Sequence, residues 1–365
     1  GPRWLTGDLH VHVSPPDEPG HSTLTVAAAL DAARRAGLDF VVLTPHDAHV
    51  SVPPSEETGG KPLYGQELVQ RQAAAHLAAT VRPVGQDPGG AGPDRGKPLV
   101  VVSGWEWTRE SPGHLGVSFV EVAALANYVG DAKAERALSA GGLVVVNHPY
   151  FRPVKSDLAV MKLVSGDRRW RPFFGEGEDA GLWNAIEVWH DRSVWIERLH
   201  AGSAERFPDT QMVTNALASW DAATLTFRRR ITAVGGSDAH GRLPYTVAPM
   251  PMVSVLVDST DEEGLRRGLL GARVTFGRDG GPAARSFAAT SDVAGERAVI
   301  GGSVRARNEV HLTWYGEARL VENGMPVGTF DGGVTRRLPA EGAFAFWRIE
   351  ARDDAYSNMI YANLP

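Results

Sequence analysis

Asp39-Phe40-Val41-Val42-Leu43-Thr44, emptying into Pro45-His46-Asp47, is the stretch that decides the fold. Its unbroken apolar run is that of a strand buried on both faces, as in parallel sheets. Parallel neighbours need a crossover helix, and one lies just upstream. Leu24, Ala27, Ala28, Leu30 and Ala33 recur at helical spacing; Ser22-Thr23 can cap the start, and Gly37 follows the end near Ala36. Before that helix, Gly7-Asp8-Leu9-His10-Val11-His12 reads as another strand. Alternate strand residues share a face, so His10 and His12 point the same way. Strand, helix and strand predict a βαβ unit and a parallel α/β sheet.

The alternation continues downstream. Strands are expected at 99–102, 116–122, 143–146, 185–189, 231–234, 251–257 and 273–276, and helices at 132–140, before 229, and at 261–270. Residues 50–97 interrupt it with two Pro/Gly-rich segments around a helix at 65–81, either a lid or a surface decoration. From about 283 the texture changes to short alternating segments between Gly-containing turns, the pattern of an antiparallel β domain. The expected organisation is therefore 3–280 and 283–365.

With 365 residues the chain is long enough for a large core, and its net charge of -6 offers no global basic field for long nucleic acid. It has no Cys, so any metal must be held by nitrogen and oxygen. No apolar run reaches the length of a membrane span. Gly1-Pro2 looks like a protease-cleavage scar, which leaves the compartment open, the cytoplasm slightly favoured and a removed signal peptide still compatible.

Chemistry gathers at the carboxyl ends of strands in barrels of parallel strands. His46, Glu106, His148, Asp238 and His240 lie at or just past expected strand ends, and Asp17 and His114 lie in loops that follow two of them. With His10 and His12, these nine groups of ligand type point to a metal centre. His190 also ends a strand, and Arg152 and Arg192 are candidates to grip an anionic substrate. His76 and His311 read as structural or solvated.

His10-x-His12, Thr44-Pro45-His46-Asp47, Gly104-x-Glu106, His114, Asn147-His148-Pro149 and Ser237-Asp238-Ala239-His240 together resemble the PHP (polymerase and histidinol phosphatase) superfamily. Within it they look like the branch that includes carbaryl-hydrolase-type metallohydrolases. The resemblance implies a distorted (β/α)7 TIM-like barrel with a small C-terminal antiparallel β domain, and a cluster of two or three divalent ions. It would place His10, His12, Glu106 and Asp238 on the first metal, Glu106, His114 and His148 on the second, and Asp17, His46 and His240 on the third. Two positions depart from the family. Pro45 stands where an Asp is usual, so Asp47 would have to substitute. Asp17 sits in Pro-Pro-Asp-Glu-Pro, where Glu18 or His21 could take its place.

All-N/O ligands suit Mn, Fe or Zn. The expected activity is hydrolysis of a small, anionic phosphorylated molecule by a metal-bound hydroxide, with His240 or His190 protonating the leaving group. A carboxylic ester, carbamate or amide is the alternative substrate, for which Trp105, Trp107, Phe151, Phe173 and Phe174 could supply an apolar pocket. A non-catalytic binding protein on the same scaffold is the third reading.

Overall fold

The computed structural model describes residues 1–56, 59–80, 98–108, 113–149, 153–154, 162–163, 182–191, 212–242, 246–277 and 281–365. The first strand β1 (Arg3–Val11), helix α1 (Val26–Arg35) and strand β2 (Phe40–Leu43) form the expected βαβ unit, with β1 and β2 parallel. The helix begins later than Ser22-Thr23 suggests. Thr25 is its cap, accepting from the Ala28 N–H at 3.2 Å, while the Ser22 hydroxyl ties the carbonyls of His12 and His240 together. The expected insertion helix is present as α2 (Gly65–Thr80).

Strand β3 (Val100–Ser103) extends the sheet parallel to β2. The chain then turns through Gly104 into β4 (Trp105–Thr108), which joins a second sheet with β5 (His114–Ser118), β6 (Leu143–Val146), β7 (Ala185–His190) and β8 (Thr232–Gly236). Helix α3 (Asp131–Ser139) precedes β6, and α4 (Met212–Phe227) precedes β8. Here β6, β7 and β8 are parallel, while β4, β5 and β6 pair antiparallel. Strand β9 (Val253–Val257) returns to pair antiparallel with β1, followed by α5 (Glu262–Leu270) and β10 (Val274–Gly277). The two sheets meet where Val11 bridges Ala239 just past β8. At the other side, the Gly104 N–H donates to Leu43 O and the Glu106 N–H to Pro45 O. The chain is thus a mixed α/β fold in which not every neighbour is parallel.

The C-terminal strands are β11 (Ala288–Ser291), β12 (Arg297–Val299), β13 (Ser303–Val304), β14 (Glu309–Glu322), β15 (Met325–Arg337), β16 (Ala345–Ala351), β17 (Ala355–Ser357) and β18 (Ile360–Ala362). All their pairs are antiparallel except β13 with β18. Asn323-Gly324, both at positive φ, is the two-residue turn between β14 and β15, as the twist of a hairpin favours. Val310, Leu312 and Trp314 alternate inward to a cluster with Phe287, Trp347 and Ile360, while Phe346 and Tyr361 join the larger core of the α/β part. The β17 strand adds directly to β10. No helix among the described residues is long and apolar enough to cross a membrane.

Candidate metal centre

The strand ends do converge. His10 and His12 come from the end of β1, His46 follows β2, and Glu106 and His114 lie on the antiparallel pair β4–β5. His148 follows β6, His190 ends β7, and Asp238 and His240 follow β8. Asp238 and His148 both sit at positive φ (53° and 27°), backbone conformations that non-glycine residues seldom adopt and that cluster at functional sites.

Glu106 is the hub. Its Oε1 lies 3.3 Å from His10 Nε2, 3.1 Å from His114 Nδ1 and 3.0 Å from His148 Nε2, and its Oε2 3.4 Å from His12 Nε2 and 3.3 Å from His46 Nε2. Asn147 donates to Oε1 at 2.8 Å, made possible by Gly116, where a Cβ would press on the Asn147 amide. On the opposite side, Asp238 Oδ1 is 3.3 Å from His10 Nε2 and 3.2 Å from His12 Nε2. His190 Nε2 approaches Asp238 Oδ2 at 3.4 Å.

Three histidines are held from behind by acceptors with no proton to offer, which puts the hydrogen on Nδ1 and turns the Nε2 lone pair inward. His10 donates to Glu187 Oε1 at 3.0 Å, His12 to Asp17 Oδ2 at 3.0 Å and His240 to Asp238 O at 2.7 Å, while His46 Nδ1 lies between Glu106 O at 3.3 Å and the Thr108 hydroxyl at 2.8 Å. Such backing partners orient metal-ligating imidazoles. Burial opposes the negative charge on Glu106, but His114, His10 and His46 around it hold its carboxyl well below the usual range. Asp238 is likewise held well below, burial being outweighed by His10 and His240. Burial works against charge on His10, yet Glu187, Glu106 and Asp238 raise it well above an ordinary imidazole, and His12 is raised through Asp17, Asp238 and Glu106. Burial lowers His46 to about 4 and His240 to about 3, leaving both neutral at physiological pH.

This donor set fits divalent cations. Inward lone pairs and two ionised carboxylates need positive charge between them, supplied by protons on His10 and His12 or by metal in their stead. The trios His10–His12–Glu106, His12–Asp238–His240 and His46–Glu106–His114 each place their ligand atoms within 4.8 Å of one another. His12–His21–His46 forms another such trio.

Several sequence expectations meet a different placement. Asp17 stands behind His12, and its other oxygen accepts from the Asp47 N–H at 3.1 Å, so both oxygens face away from the converging nitrogens. His21 is the group facing inward there, its Nε2 3.0 Å from His240 Nε2. Asp47 does not back His46; the Glu106 carbonyl and the Thr108 hydroxyl do. Trp105 is buried in the main core rather than lining a wall. His76 pairs with Asp31 and His311 with Thr335, away from the centre. Arg152, Arg192, Phe151, Phe173 and Phe174 lie outside the described residues. Glu187 was not singled out from sequence. The signal was an acid inside the apolar run Ala185-Ile186-Glu187-Val188-Trp189.

No family model and no curated protein matches the chain. Among solved structures, a two-domain protein from Bacteroides vulgatus, described as containing a predicted PHP-like metal-dependent phosphoesterase, is similar over 99% of this chain and 95% of its own, at 14% identity and a TM-score of 0.45. A protein from Bifidobacterium adolescentis, described as a candidate metal-dependent phosphoesterase, is similar over 72% of this chain and 94% of its own, at 14% identity and a TM-score of 0.33. Likenesses at these values carry no argument about what the chain does.

Proposed function

We propose that the chain is a metal-dependent hydrolase that cleaves a phosphoester bond in a small anionic molecule, using two or three divalent ions of the Mn, Fe or Zn type. The observation that carries this reading is Glu106, one buried carboxylate with ring nitrogens of five histidines at 3.0 to 3.4 Å. Divalent cations in such a set supply Lewis acidity to a phosphoryl oxygen and lower the pKa of water towards neutrality. The chain's part is to hold them and to admit substrate. His10 and His12 form a closed floor, at 2% and 0% side-chain exposure, whereas His114 and His46 reach 32% and 20%, so substrate approaches from the β2–β4–β5 side. His240 Nδ1–H is tied to a carbonyl and its Nε2 bears a lone pair, which suits a ligand better than a proton donor. His190 is the remaining candidate for leaving-group protonation; its Nε2 lies 3.4 Å from Asp238 and it is only 2% exposed, so it would serve from the floor of the centre rather than from its open side.

Within this reading the strands around the centre correspond to a distorted PHP-type barrel, and the strands from about residue 283 to a supporting β domain. A neutral ester or carbamate, as in the carbaryl-hydrolase-type branch, would call for an apolar wall. Trp105 packs into the core and offers no such wall, and it is the affinity of a multi-cation cluster for developing phosphoryl charge that puts the phosphoester first. Metal analysis followed by assay on p-nitrophenyl phosphate, its diester, p-nitrophenyl acetate and a naphthyl carbamate tests the assignment. Phosphoester turnover that depends on metal is expected; a specificity constant roughly a hundredfold higher on the carboxylic substrates would overturn it.

A further inference from the structure

We infer that Glu187 is a positioning residue that sets two candidate ligands, His10 and His148, at once, and that it does so without holding a cation itself. The inference rests on the metal-centre reading above. Glu187 lies in the middle of β7 between Ile186 and Val188, and all three side chains are buried. A carboxylate is costly there unless each oxygen is engaged. Both are. Oε1 accepts from His10 Nδ1 at 3.0 Å, and Oε2 accepts from the His148 backbone N–H at 2.8 Å.

The two bonds do different work. The first fixes the His10 tautomer, so that Nε2 faces Glu106 and Asp238. The second pins the backbone of His148 at a φ of 27° that an L residue seldom holds unaided, with its ring 3.0 Å from Glu106. The strand β8 makes room for this reach. A Cβ on Gly236 would stand 2.5 Å from His10 Cβ and closer still to Glu187 Oε1, so glycine is required where the acid passes. One side chain on β7 therefore couples a ligand from the first sheet to one from the second. His10, His148 and Glu187 do form a geometrically possible metal trio, but Glu187 already spends one lone pair of each oxygen on these two donors, and whether it also holds a cation is what the metal count below decides.

Glu187→Gln separates the alternatives. The amide keeps one acceptor and turns the other into a donor, so it can satisfy both His10 and His148 only if His10 moves its proton from Nδ1 to Nε2, which removes the inward lone pair. In metal-free protein labelled with 15N-histidine, the low-field Nδ1–H proton of His10, assigned with His10→Ala, is expected in the native chain and shifted or lost in E187Q. At saturating Zn²⁺, E187Q is expected to hold the same number of equivalents as the native chain, with affinity by chelator competition roughly 10- to 100-fold weaker. Loss of a whole equivalent at saturation would make Glu187 a ligand. An unchanged proton signal and affinity would make it merely structural. If E187Q does not fold by circular dichroism, Glu187→Asp, which keeps the charge but retracts the oxygens, gives the same readouts. A native chain that takes up no metal would defeat the metal-centre reading, while the His10 signal would still decide whether Glu187 holds that ring.

Discussion

Replacing Arg348 with Met should cost about 3–5 kcal/mol of stability, the penalty for leaving a buried partner charge uncompensated. Arg348 lies on β16 and reaches Asp221 on α4 through two parallel bonds, Nε to Oδ1 at 3.0 Å and Nη2 to Oδ2 at 2.9 Å. Each side chain is only 5% exposed, but the pair also borders a cavity lined by Leu217, Val321 and Tyr356, and water entering there would hold the loss towards the lower end of that range. Nη1 also donates to Glu350 at 2.6 Å, but Glu350 is 18% exposed and keeps Arg319 nearby at 3.5 Å. Its share of the loss is therefore small, and the penalty falls on Asp221. The intact pair is not strongly stabilising. Burial raises the Asp221 carboxyl more than Arg348 lowers it, so the folded chain binds that proton more tightly than the unfolded one. The ionised acid thus costs stability above its folded pKa, a cost that fades as pH falls through that value. The penalty of Arg348→Met should accordingly be largest near neutral pH and shrink on acidification. Asp221→Leu combined with Arg348→Met should recover most of the loss, with a coupling above about 3 kcal/mol by urea denaturation of both single variants and the double. A single Arg348→Met loss below about 1 kcal/mol, or losses that simply add in the double variant, would refute the reasoning.

Glu106→Gln should abolish tight metal binding and reduce turnover by at least about a hundredfold, whereas Asp17→Asn, which only loosens His12 from behind, should cost roughly tenfold in metal affinity; chelator competition on both checks this, and equal effects would contradict it. Metal uptake should release protons and weaken as pH falls, because His10 and His12 are raised well above the ordinary imidazole value by neighbouring carboxylates and must deprotonate to bind; calorimetry near pH 6.5 in two buffers of different ionisation enthalpy should show the release. Gly236→Ala should lower metal affinity even if the chain folds, since the added methyl would push Glu187 from His10; unaltered affinity in a folded variant would count against that contact.

Much of the centre was legible because strand ends can be read from apolar runs. The period of two put His10 and His12 on one face, and the runs before His46, His148 and Asp238 brought those residues to one place. What lay in loops was less legible. Asp17 is ligand-like in type, but only the turn of residues 13–22 decides that it stands behind His12 while His21 faces in. Glu187 was hidden because an acid within an apolar strand does not show by type alone whether it has partners. The antiparallel return of β9 beside β1 was also not legible from an alternation of elements. Among the described residues no helix intervenes between β8 and β9, and without a crossover the next strand can run backwards.

The centre draws its donors from two separately hydrogen-bonded sheets: His10, His12 and His46 from one, and Glu106, His114, His148, His190 and Asp238 from the other. Among the described residues the sheets are joined near the site by the Val11–Ala239 bridge and the Gly104 turn. A cation bound there would act as a rivet across a seam. Prising the sheets apart would strip its ligands, so at a free metal concentration a hundred times the Kd the seam would gain about 2.7 kcal/mol. Metal supply would then govern how long the chain survives heat and proteolysis as well as whether it turns over substrate.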